Sequence, residues 1–447
     1  MLLEFKTKNY KSFVEEASFS MVAAPKQKGL DYSLMKTKIK GKEIKGLSSS
    51  VIYGPNAAGK TNIIGAMDVL RAIVLRGNIR NSEEKSSPNP ATAALELIPN
   101  NNEMESKPVC FEIEFYEEDG EDHKFKIRYE LEVDLGIFLE EEYQRKILAE
   151  VLEVNGERVF ERAEDLKIEN LKVIKDYLSD ITEQNADSVN EIAKNSLNQE
   201  ELFLTNGFKL IFSPKFTKLI VDWFTNKFMV IYRADSMQLI KRFADPKKKA
   251  IYVEKTTDEA AKLFGINSNA VGYVVSDDEP DAKLYSVFKN MKNKKTTAVA
   301  ADIFESYGTI RFINMFPLVI KAMQTGGILV VDEFDASIHP MALMSIINVF
   351  HNDDVNIHHA QLIFNTHNPI FLNSNLFRRD EIKFVERDDD THDSVLYALS
   401  DFGTTGDKGV RKHEDYMSKY FISQYGAIKD IDFTPIFEEI LCDEKEG

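Results

Sequence analysis

An α/β fold is expected for this 447-residue chain, with an antiparallel β lobe in its first third and a mainly helical insertion between two α/β halves. Three observations carry that expectation. Short apolar runs such as Val51-Ile52-Tyr53, Ile328 to Val331 and Leu362-Ile363-Phe364 suit strands buried on both faces, and helical patterns stand between them. Residues 109–134 alternate apolar and polar around an acidic turn at Glu117 to Asp122, as a half-buried hairpin does. From about residue 160 the apolar period becomes that of a helix.

The elements follow in order. The first fifty residues read as short strands with turns. Ser49 to Tyr53 is a buried strand running into Gly54, and the next helix places Ile63, Met67, Leu70 and Val74 on one face before Gly77 closes it. Residues 81–107, rich in proline, asparagine and charge, read as a loop. Leu171, Ile174, Leu178 and Ile181 predict one helical face, Val189, Ile192 and Leu197 continue it, and Phe216, Leu219, Ile220, Trp223 and Phe224 predict another helix. A helix from Gly308, the run Gly327 to Asp332, a helix over 341–351 and a strand over 361–364 follow. Three units are expected: 1–150, 151–298 and 299–447.

Composition narrows the class. With 43% hydrophobic and 29% charged residues the chain has the profile of a folded protein rather than a disordered one. Two cysteines, Cys110 and Cys442, give no disulfide framework and suit a reducing compartment. The apolar runs are too short for a membrane span, and the opening MLLEFKTKNYKSF has no apolar core of a signal peptide, so a cytoplasmic protein is expected. A net charge of −17 argues against non-specific coating of a nucleic acid duplex. Lysines 36, 38, 40, 42 and 45, and 289, 292, 294 and 295, could still form a local basic groove or be solvated turns.

Gly54-Pro55-Asn56-Ala57-Ala58-Gly59-Lys60-Thr61 fits GxxxxGK[ST] between a strand and a helix, the arrangement of a phosphate-binding loop. Its glycines let backbone N–H groups turn toward phosphate oxygens, at the positive end of the helix that Asn62 continues. Lys60 would reach the β- and γ-phosphates of ATP, and the Thr61 hydroxyl would ligate Mg²⁺. Ile328 to Glu333 supplies a buried strand ending in two carboxylates. Asp332 suits an outer Mg²⁺ ligand and Glu333 a general base for the attacking water. Ser306-Tyr307-Gly308-Thr309 stands 26 residues before Asp332, ahead of an apolar helix. Phe364-Asn365-Thr366-His367 ends a later strand, where His367 could hydrogen-bond the γ-phosphate.

In this order, the P-loop, SxGT, the apolar run with Asp332-Glu333, Asp335-Ala336-Ser337-Ile338-His339-Pro340 and Asn365-Thr366-His367-Asn368-Pro369 resemble the ABC-type P-loop ATPase heads of the SMC and RecF group. Asn9-Tyr10-Lys11-Ser12-Phe13, Arg379-Asp380-Glu381-Ile382, Leu399-Ser400-Asp401-Phe402 and Gln424-Tyr425-Gly426-Ala427-Ile428 are similar to bacterial AAA-family ATPases of the abortive-infection, RloA and AriA (PARIS) type. The resemblance covers roughly 1–135 and 300–430. It implies two heads sandwiching ATP, with Lys60, Thr61, Asp332, Glu333 and His367 of one facing Ser306 and Gly308 of another, and Asp335 in the D-loop. A homo-oligomer is therefore implied. Residues 91–98 offer no Q-loop glutamine, and Tyr307 stands where a small residue is usual.

The resemblance implies an antiphage ATPase acting as sensor or scaffold for a separately encoded effector, such as a Toprim-type nuclease, with a phage protein or DNA as trigger. Only 80 residues follow His367, too few for a Toprim domain beyond the head's own closing elements. Arg387 to His392 has the R-x4-H spacing of HEPN ribonucleases, but it spans an acidic turn where that motif needs a helix. Asp388 to Asp390 and His358-His359 read better as solvated loop than as metal ligands. The alternative function is a RecF-like DNA-repair ATPase, which salt-dependent, ATP-dependent DNA affinity would reveal. A transporter ATPase subunit would need a membrane partner, and is the poorest reading.

Overall fold

The computed structural model describes the chain except residues 26, 28, 40, 81–95, 103–104, 121–122, 141–142, 180–185, 233–250, 253–254, 277–278, 291–294, 405–408, 412 and 444–447. Ile181, Lys40, Lys292, Lys294 and positions 91–95 thus lie outside the described residues.

A six-stranded sheet carries the P-loop. Its order is β11 (Phe228–Ile231), β16 (Ile328–Val331), β17 (Gln361–Asn365), β5 (Ser49–Tyr53), β18 (Ile382–Arg387) and β19 (Ser394–Ala398). All neighbours are parallel except β18 and β19. The apolar runs have the double-sided burial expected of parallel strands. Ile52, Ile328, Val330 and Ile363 join one core, whereas Val51, Tyr53, Leu329, Val331, Leu362 and Phe364 join the other. Helix α1 (Lys60–Arg76) packs in the first core, with Ile63, Met67, Leu70 and Val74 buried, and Gly77 ends it in a left-handed C-cap. Helices α5 (Tyr307–Thr325) and α6 (Pro340–His351) cover the opposite face.

The antiparallel lobe is a seven-stranded sheet, β10 (Leu166–Ile168), β9 (Glu157–Arg162), β8 (Lys146–Val154), β7 (Lys124–Asp134), β6 (Val109–Glu118), β1 (Leu2–Lys8) and β2 (Ala17–Ser20). The expected hairpin is its β6–β7 pair, with Phe111, Ile113 and Phe115 alternating into the core. A separate hairpin, β3 (Leu34–Ile39) and β4 (Lys42–Leu47), carries Lys36, Lys38, Lys42 and Lys45 exposed to solvent.

The stretch 151–298 is not mainly helical, which corrects the expectation. Strands β9 and β10 extend the lobe, β11 joins the P-loop sheet, and β12 (Ile251–Tyr252), β13 (Ala270–Ser276), β14 (Glu279–Lys289) and β15 (Thr296–Ala300) form a four-stranded antiparallel sheet. The helical part is broken into short pieces among these strands: α2 (Ala186–Asn195), α3 (Pro214–Asp222) and α4 (Lys255–Phe264), a 3₁₀ segment at Leu171–Tyr177, and wide helical turns at Leu204–Phe208 and Trp223–Lys227. Ile192 is exposed rather than core-facing. Just beyond α3, Trp223 stacks on Phe115 of the lobe at 3.9 Å between ring centroids, so lobe and insertion share one core.

Candidate active site

The P-loop joins the carboxyl end of β5 to α1, where parallel sheets place their ligands. Gly54 is held at φ 156°, and a Cβ there would lie 2.2 Å from the Val385 carbonyl oxygen, so only glycine fits. Asn56 and Ala57 form an exposed apex, while Ala58, Gly59 and Lys60 are buried. Ser394 Oγ donates to the Ala58 carbonyl at 2.6 Å, and Asn62 Nδ2 donates to Ser12 Oγ at 2.7 Å. Arg387 donates to the Ala57 carbonyl at 3.3 Å.

Lys60 turns its ammonium back on its own loop, donating to the Gly54 and Pro55 carbonyls at 2.7 and 2.9 Å. Burial pushes its pKa down to about 8, while Asp332, Glu333 and Asp335 pull it upward. Thr61 Oγ1 donates to Asp332 Oδ1 at 3.0 Å, and Asn365 Nδ2 donates to the same oxygen at 2.6 Å. His367 is exposed just past β17. Its pKa is lowered, first by desolvation and then by the Lys60 charge, against pull from Asp335, Glu333 and Asp332. Three separated segments of sequence therefore converge: Lys60-Thr61, Asp332 to Asp335, and Asn365 to His367.

Glu333 is exposed, at φ 51°, a left-handed conformation unusual for a non-glycine residue. Its N–H donates to Asn365 Oδ1, and its carbonyl accepts from the Ala336 N–H at 3.1 Å and from an Arg311 guanidinium N–H. Ser306 caps α5, accepting from the Thr309 N–H at 3.1 Å, and stays exposed beside Tyr307. Gly308 lies against the Asp335–Pro340 segment: a Cβ would fall 2.0 Å from the Ser337 carbonyl oxygen. Among the described residues no hydrogen bond or ion pair joins Ser306 or Gly308 to the P-loop of the same chain.

Three participants were not assigned from sequence. Asn365 stands inside the Asn365-Thr366-His367 motif and its place there was the available signal. Ser394 and Arg311 had none, since a strand serine and a helix arginine are usually solvated. Asp388 to His392 form a turn between β18 and β19, His358 and His359 are exposed, and no group of three or more His, Cys, Asp or Glu among the described residues could hold a metal. The Thr61 and Asp332 oxygens make a two-ligand site, which fits Mg²⁺, an ion that keeps most of its waters and takes phosphate oxygens. Lys60, now bonded only to loop carbonyls, fits a phosphate group as its alternative partner. No helix of the described residues is long and apolar enough to cross a membrane.

Comparison with known proteins gives a family. No curated protein matches the chain. Among solved structures, the SMC head domain from Thermotoga maritima aligns over 89% of this chain and 98% of its own, at 13% identity and TM-score 0.34. An SMC head bound to the C-winged helix domain of ScpA aligns over 89% and 97%, at 11% identity and TM-score 0.37. Residues 49–373, from the P-loop strand past His367, match the family described as "AAA domain, putative AbiEii toxin, Type IV TA system". With its P-loop sheet and the convergence of Lys60, Thr61, Asp332 and His367, the chain belongs to this AAA-domain family.

Proposed function

We propose that the protein binds and hydrolyses ATP with Mg²⁺ as an ABC-type head. The observation that carries this reading is the Lys60–Thr61–Asp332–Asn365–His367 cluster at the carboxyl edge of a parallel sheet. Lys60 and the P-loop amides hold the phosphates, with Asn62 anchoring the loop to Ser12. Thr61 and Asp332 hold Mg²⁺, which neutralises phosphate charge when bound. Glu333 accepts a proton from the attacking water, and His367 donates a hydrogen bond to the γ-phosphate. Among the described residues Ser306 and Gly308 make no bond to their own P-loop, and Tyr307 is 57% exposed at the start of α5, as suits a helix end that meets the nucleotide of a second head. A homo-oligomer is part of the reading.

The finer part is a role in antiphage defence, as a cytoplasmic sensor or scaffold that holds or releases a separately encoded effector such as a Toprim-type nuclease. What supports it is the toxin–antitoxin context of the family and the tail motifs Arg379 to Ile382 and Gln424 to Ile428. The test is affinity purification of the Glu333→Gln form with ATP from its native locus, with mass spectrometry of what comes with it. A nuclease-like partner supports the defence role. DNA or repair proteins alone would replace it with the RecF-like alternative, and absence of ATP turnover in the parent protein would remove the enzymatic reading altogether.

A further inference from the structure

Arg311 is 5% exposed and sits on α5 two residues after Thr309. One of its terminal nitrogens donates to the Glu333 carbonyl. Its Nε is buried and has no hydrogen-bond partner, and no carboxylate forms an ion pair with it among the described residues. A buried guanidinium without a counter-charge is costly, so a surrounding that tolerates it points to a use for the remaining bond.

The use is set by the residue it grips. Glu333 holds a left-handed backbone, which a side-chain-bearing residue rarely adopts unless its surroundings impose it. Its peptide groups are clamped from two directions. The N–H is fixed by Asn365 at the end of β17, part of the rigid sheet. The carbonyl accepts from the Ala336 N–H of its own turn at 3.1 Å and, from across the interface, from Arg311 on α5, whose first turn presses Gly308 onto the Ser337 carbonyl. Where the Glu333 carboxylate points therefore depends on how α5 sits against the sheet.

We propose that Arg311 is a positioning residue for Glu333: it aims the general base by holding its backbone carbonyl, and so ties hydrolysis to the seating of α5. This rests on the ATPase reading above. Arg311 acts on the main chain of Glu333, not on its carboxylate. Its effect is on turnover, not on affinity, since Lys60 and the P-loop lie outside the clamp.

The experiment compares R311M, R311Q and R311K with the parent protein, measuring kcat for ATP, and ATP affinity by titration of the Glu333→Gln background. R311M lacks any donor and R311Q falls short of the carbonyl, whereas R311K keeps a charged donor of similar reach. R311M and R311Q are expected to lose roughly tenfold to a hundredfold in kcat with ATP affinity within about threefold, and R311K to recover much of the loss. R311Q carries the test if R311M does not fold. Turnover of R311M or R311Q within about threefold of the parent overturns the proposal, and so does a loss confined to ATP affinity or an R311K as slow as R311Q. A parent that binds ATP without hydrolysing it overturns the ATPase reading itself, a result distinct from any of these.

Discussion

The two ends of the P-loop sheet hold similar residues and do opposite things with them. At the carboxyl end, Lys60, Thr61, Asp332, Glu333 and His367 gather around an exposed apex, with Glu333 and His367 open to solvent. At the amino end, Ser49 Oγ lies 2.7 Å from His351 Nε2 and donates to Glu381 Oε1 at 3.0 Å, while His351 Nε2 lies 3.3 Å from that carboxylate. By residue type the second cluster looks like a hydrolase. Yet Ser49, His351 and Glu381 are at most 2% exposed, and Glu381 also accepts from the Arg378 N–H. Beside them Gln361 ties Leu2 of the lobe and Leu47 of the β3–β4 hairpin to the sheet through three hydrogen bonds. The lesson is that a serine, a histidine and a carboxylate within reach of each other are glue when sealed. Chemistry needs groups left open at the end of the sheet where the backbone turns outward.

That contrast can be broken or sharpened by four measurements. If Glu333 is the general base, as proposed, Glu333→Gln should lower kcat by roughly 10²–10⁴-fold while ATP still binds, measured by phosphate release and nucleotide titration. A variant that turns over at the parent rate would end the assignment of the base. Lys60→Ala should weaken ATP binding by about tenfold to a hundredfold, the 1.5–3 kcal/mol of a hydrogen bond to a charged group. Unchanged affinity would mean that the ammonium does not face phosphate. Acidity gives a smaller effect. With its pKa pushed down to about 8, Lys60 is charged below that pH and neutral above it, so ATP affinity should fall by up to about tenfold from pH 7 to pH 9. The slope should vanish in Lys60→Ala. At the sealed end, Ser49→Ala should cost about 1–3 kcal/mol of stability, seen as a lower melting temperature, with ATP turnover unchanged. A turnover loss without a melting shift would show that the amino end is not merely structural.

Much of this was legible because its signals are local. Strand β5, the P-loop and α1 are contiguous, and β16 and β17 announce themselves as short runs that must be buried on both sides. The motifs at the ends of these strands, with their order along the chain, nominated Lys60, Thr61, Asp332 and His367. What sequence concealed depends on distant pairing. Phe228 to Ile231 is as apolar as β16, but nothing nearby says that it lies parallel to residues 328–331. The β12–β15 sheet was likewise hidden, because Ala270–Ser276 and Glu279–Lys289 lack a clean apolar–polar alternation, with Tyr273-Val274-Val275 and Leu284-Tyr285 side by side, and pair mainly with each other. Arg311 and Asn365 gained their roles only when α5 and β17 were brought to either side of the Glu333 peptide.

The strand order of the P-loop sheet also governs how the protein must be made. β5 is inserted between β17 and β18, so both of its edges wait for partners encoded roughly 310 to 330 residues later. At about 5–20 residues per second of synthesis, that wait is on the order of 20–60 s. Through it, Val51, Ile52 and Tyr53 form an apolar ribbon with open backbone, the kind of segment on which chaperones act and from which aggregates grow. A messenger cut short before codon 382 would thus leave its product without the last neighbour of the P-loop strand, and a separately made carboxyl half could supply it. Lys60 and His367, which meet at one edge of the sheet, leave the ribosome about 300 residues apart.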